Sequence, residues 1–89
     1  MGWERVRYAA LFDYAPLTGA SFVNAFLAGA SFQHANLDKV DFHGADLSRV
    51  DFQYAQNPEL ALFEGACYYM SAAPLGLSDT LLGKLKSPC

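Results

Sequence analysis

Apolar residues recur along this chain with a period of five. From Ala10 to Tyr54 run nine consecutive five-residue units, each opening on Ala or Val and carrying Phe or Leu at its third position. The third positions read Phe12, Leu17, Phe22, Leu27, Phe32, Leu37, Phe42, Leu47 and Phe52, a strict alternation. A step of five turns an α-helical side chain by ~140°, so residues at this spacing form no stripe on a helix. On a flat strand an odd step sends successive large residues to opposite faces. All the small and large apolar residues stay inside only if the chain turns after each unit, and four turns close a square coil of twenty residues. Residues twenty apart then lie one above another. Phe12, Phe32 and Phe52 form one inner column, Phe22 and Phe42 the opposite one, and Leu17 and Leu37 face Leu27 and Leu47. Each layer holds two Phe and two Leu, a constant volume.

The units Ala35-Asn36-Leu37-Asp38-Lys39 and Ala45-Asp46-Leu47-Ser48-Arg49, with Val40-Asp41-Phe42 and Val50-Asp51-Phe52 as near variants, resemble those of the pentapeptide-repeat proteins, often written Ala-(Asp/Asn)-Leu-x-x. The resemblance implies an all-β solenoid, a right-handed quadrilateral β-helix whose central residues point inward and stack from coil to coil. It also implies that the second-position carboxylates Asp41, Asp46 and Asp51 look outward, solvate the coil and bond local backbone at its corners.

The register slips once. The unit at Ala55 puts Asn57 where a large apolar residue belongs, and the pattern resumes at Ala61 only if this unit has six residues. Phe63 then continues the Phe22 and Phe42 column, for about three coils in all. Asn57-Pro58 signals a turn, so Gln56 to Leu60 should protrude at a corner. Repeat arrays need covered ends. Ser78 offers a helix N-cap, Leu77, Leu81, Leu82 and Leu85 fall on one helical face, Lys84 and Lys86 suit the C-terminal dipole end, and Pro88 stops the helix, so a C-terminal helical cap is expected. At the other end Trp3 and Val6 stand twenty residues before Val23 and Phe26, which are apolar where the pattern points outward. A strand laid along the coil edge would cover them. Otherwise Trp3, Val23 and Phe26 form an apolar interface patch. The division is an N-terminal edge segment at 1–9, the repeat coil at 10–75 and the helical cap at 76–89.

Composition narrows the function. The chain is 53% hydrophobic yet has no apolar run of transmembrane length, and no signal-like leader stands at its start, so a cytoplasmic protein without membrane contact is expected. A net charge of -3 argues against direct nucleic-acid binding, which favours basic stripes. Cys67 and Cys89 have no CxxC spacing and read as structural, Cys89 as a flexible terminal thiol. Nucleophile-elbow, Walker, zinc-protease and dinucleotide motifs are absent. His34 and His43 fall on different sides of the square. No catalytic, cofactor-binding or metal residue is assigned, and no enzyme is expected.

One outward column stands out. Tyr14, His34 and Tyr54 share the fifth position at spacing twenty, flanked by Asp13, Gln33 and Gln53. They should stack externally, either as pure stabilisation or as a binding ridge. The expected function is a non-catalytic scaffold or protein-interaction module with a protein partner, or a homodimer through a coil end. The alternative comes from the resemblance alone: some pentapeptide-repeat proteins imitate duplex DNA, bind type II topoisomerases such as gyrase, and confer quinolone resistance.

Overall fold

The computed structural model describes residues 10–89. Within them the chain returns over itself every twenty residues. Parallel bridges join Leu11 to Ser31, Pro16 to Asn36, Ser21 to Asp41, Phe26 to Asp46, Ser31 to Asp51 and Asn36 to Gln56. Every bridge falls at the second position of a unit, which gives four bridge columns. Among the described residues none lengthens into a strand, because the last part of each unit is a turn.

The turn explains the period. Ala15 N–H donates to Phe12 C=O at 3.0 Å, Ala35 to Phe32 at 3.0 Å and Ala45 to Phe42 at 2.9 Å. The residue before each of these alanines has positive φ, 62° at Tyr14, 61° at His34 and 70° at Gly44. A single left-handed residue at the third place of a four-residue turn marks type II geometry. Between turns the backbone pairs with the layers on either side. Ser31 N–H donates to Ala10 C=O at 3.0 Å and Phe32 N–H to Asp51 C=O at 2.8 Å, so a middle layer meets its polar requirements from both neighbours. The second-position side chains hold the turns. Asp41 Oδ1 accepts from His43 N–H at 2.9 Å, Asp46 Oδ1 from Ser48 N–H at 3.0 Å and Asp51 Oδ1 from Gln53 N–H at 2.9 Å, each an Asx-type bond two residues on.

Inside, the rings stack as the twenty-residue register requires. Phe32 lies 4.9 Å from Phe12 and 5.3 Å from Phe52, while Phe42 lies 5.5 Å from Phe22 and 5.3 Å from Phe63. The two columns meet edge to face, as between Phe32 and Phe42 at 83°, the geometry aromatic quadrupoles favour. Phe32, Phe42, Phe52, Leu37, Leu47, Val40 and Val50 are fully buried.

The slip at Ala55 is present. Past it Asp41 pairs with Leu62 and Asp46 with Cys67, one residue beyond the earlier spacing. The extra residue is taken up in a 3-10 turn, Pro58–Leu60, entered through Asn57 at φ 57°. A second slip escapes the five-residue pattern. Asp51 pairs with Leu75, twenty-four residues on, because three more residues intervene after Cys67. Leu75 and Gly76 thereby form a further rung over Val50 and Phe52, with Leu75 N–H donating to Val50 C=O at 2.8 Å.

The C-terminal helix is shorter than the pattern of leucines predicts. α1 is a single turn, Asp79–Leu82, and Ser78 Oγ accepts from Leu81 N–H at 3.2 Å as the cap signal requires. Lys84 and Lys86 are not on it. Instead Lys86 pairs with Cys67: its N–H donates to Ala66 C=O at 2.9 Å and its C=O accepts from Tyr68 N–H at 3.0 Å. These bonds satisfy edge groups of the layer below that a longer helix would have left open. Leu81 and Leu85 still reach the core, with Leu77 and Leu82 packed partly buried against it. The expected free thiol is also corrected. Cys89 is disulfide-bonded to Cys67, with Cα atoms 4.9 Å apart, because the Lys86 rung carries the chain end back over the column that holds Cys67. The expected packing of Trp3 and Val6, and the edge segment 1–9 as a whole, lie outside the described residues.

Candidate functional site

The fifth residue of a unit sits at the left-handed corner, where its side chain leaves the coil. At one corner the three such residues are Tyr14, His34 and Tyr54, and their rings form one continuous stack. Tyr14 and His34 are 4.6 Å apart at 2°, His34 and Tyr54 5.1 Å apart at 17°. Tyr14 is 73% and Tyr54 69% exposed, with His34 half-buried between them. A left-handed backbone costs a residue with a Cβ about 1–2 kcal/mol. Stacking of ~0.5–1.5 kcal/mol per aromatic pair offsets part of that at this corner.

The flanking polar residues fix the column. Asp13 Oδ1 accepts from Gln33 N–H at 3.0 Å and from Ser31 Oγ, standing in from the layer below for the carboxylate that Ser31 lacks. Gln33 Nε2 donates to Asp51 Oδ2 at 2.6 Å. Gln33, placed outward by the pattern, is therefore half-buried and bonded across layers.

Val23 and Phe26 are exposed, Phe26 at 91%, but they do not join this site. Phe26 stands on the bridge column of Asp46 and Cys67, whereas the aromatic stack ends the units of the Ser31 column. Trp3 lies outside the described residues. The structure adds exposed apolar side chains outside the surfaces expected from the sequence: Leu11, Leu62, Tyr69, Met70 and Leu75. For Leu11 and Leu62 the signal was present, since each puts an apolar residue on a bridge column whose other rungs include Ser and Asp: Ser31 and Asp51 above Leu11, Ser21 and Asp41 below Leu62. An open groove of about 490 Å³ runs beside Leu62, lined by Ala61, Leu62, Phe63, Glu64 and Lys84. It is separate from the aromatic stack. Among the described residues no helix is long and apolar enough to cross a membrane.

Stacked five-residue units, a ring-filled interior and side chains presented from regular corners define a repeat protein. A model of pentapeptide repeats matches residues 12–55 in eight copies, and the chain belongs to the pentapeptide-repeat family. No curated protein matches it.

Proposed function

We propose that the chain is a right-handed quadrilateral β-helix, with residues 76–89 as its C-terminal cap, acting as a non-catalytic protein-interaction module. The observation that carries this reading is the Tyr14–His34–Tyr54 column. Three rings stand in one stack, the outer two exposed, at left-handed corners that disfavour residues with a Cβ, and tyrosine is enriched where proteins meet. A rigid coil presents such a column at low entropic cost on binding. The carboxylates Asp41, Asp46 and Asp51 are engaged as turn acceptors, so they serve the scaffold rather than acid–base chemistry. The proposed partner is another protein. A cytoplasmic placement would hold Cys67 and Cys89 as thiols, an oxidising one as the disulfide.

The test is capture of host proteins on the immobilised full-length chain, run beside a topoisomerase supercoiling assay. The module reading expects a specific protein that Tyr14→Ala no longer retains, with supercoiling unaffected. Stoichiometric inhibition of supercoiling would replace it with the DNA-mimic, gyrase-binding reading.

A further inference from the structure

We propose that, once its disulfide is reduced, the chain binds a thiophilic divalent cation of the zinc class through Cys67, Cys89 and Asp46. One ligand atom from each of the three residues lies within 4.8 Å of the other two. The register sets up this convergence: Asp46, Cys67 and Lys86 are successive rungs of one bridge column, and three residues past Lys86 the chain places Cys89 against Cys67. In a tetrahedral site with metal–sulfur bonds of ~2.3 Å and metal–oxygen bonds of ~2.0–2.2 Å, donor atoms stand about 3.5–3.8 Å apart. The two sulfurs are bonded to each other in the disulfide, so reduction must let them part to that spacing; Cys89 is exposed and has room to move, while Cys67 is buried and fixed by its rung.

Asp46 is already oriented for the task. Its Oδ1 accepts from Ser48 N–H at 3.0 Å and from Ser48 Oγ at 2.7 Å, while Oδ2 has no partner among the described residues. A carboxylate held by one oxygen and free at the other is the arrangement that outer hydrogen bonds give metal ligands. Two sulfurs and one oxygen suit zinc better than calcium or magnesium, which take oxygen alone, and a water completes the tetrahedron. Two thiolates, one carboxylate and a divalent ion leave one negative charge, and Lys86 on the next rung carries the opposite sign.

The chemistry balances with a dithiol reductant. The dithiol gives two electrons and two protons to the Cys67–Cys89 bond and becomes a disulfide itself. Metal binding then releases the two thiol protons and forms two metal–sulfur bonds. The ion holds the Lys86 rung where the disulfide held it, so the chain end stays fastened in either redox state.

The test uses the full chain reduced with a phosphine, which leaves no competing thiol, and titrated with Co²⁺ as a spectroscopic probe. A thiolate-to-cobalt charge-transfer band should saturate at one equivalent, bleach on adding Zn²⁺ and be missing from the oxidised protein. Cys89→Ser, at an exposed position, should abolish it. Asp46→Asn keeps an oxygen for Ser48 N–H, so the turn survives, and should weaken binding ~tenfold or more. No band in the reduced chain, or an unchanged titration in Asp46→Asn or Cys89→Ser of native circular dichroism, overturns the proposal.

Discussion

Gly19 and Gly76 both sit at left-handed positions, at φ 77° and 88°, yet their surroundings differ. A Cβ at Gly19 would meet nothing within 4 Å, whereas one at Gly76 would meet Gln53 N at 2.5 Å and Phe52 C at 2.6 Å, both rigid backbone. Gly19→Ala should therefore lose only the ~1–2 kcal/mol of left-handed strain. Gly76→Ala should lose a further ~1–3 kcal/mol through overpacking. Urea midpoints compare the two, and equal losses would mean that the Gly76 rung does not lie on Phe52. At the aromatic corner, the Tyr14→Ala/Tyr54→Ala double variant removes stacking worth about 1–3 kcal/mol in all but no buried core. It should stay folded by circular dichroism while losing partner capture; folded protein with undiminished capture would make the stack purely structural. This column was legible in the sequence because spacing twenty alone places it. The role of Gly76 was not, since three unpatterned residues after Cys67 hide which residue lies over Phe52.

At the scale of elements, the leucines of the C-terminal segment announced a helix but not its length. Ser78 and Leu81 were read correctly, because a capping hydroxyl and an apolar stripe are local signals. The helix ends after one turn for a reason that is not local. Lys86 gains two backbone hydrogen bonds on the Cys67 rung, and Leu85 reaches the core from there. The disulfide was missed on the same ground, since two cysteines twenty-two residues apart become neighbours only through that rung. A loop of this size constrains the unfolded chain by about 3 kcal/mol in the entropy model. Metal-free reduction, or Cys89→Ser, should lower the stability of the whole domain by that order, with amide exchange rising first at Lys86 and Tyr68. Thermal melts that coincide for the oxidised and reduced forms would show that the chain end is fastened without it.

At the scale of the whole molecule, the outer columns are surfaces only if the coil register holds from end to end. The five-residue pattern made the first layers legible, because every large side chain there has its counterpart twenty residues away. It faded where Asn57 replaces a leucine and where the residues after Met70 carry no unit, and there the backbone pairing, not the apolar pattern, sets the register. The most direct measurement is an NMR map of backbone contacts between rungs in the full chain. The account predicts pairs twenty apart from Leu11 with Ser31 through Asn36 with Gln56, twenty-one apart for Asp41 with Leu62 and Asp46 with Cys67, and twenty-four apart for Asp51 with Leu75. A single spacing kept past Gln56, or helical contacts between Ala10 and Tyr54 in place of these, would contradict it.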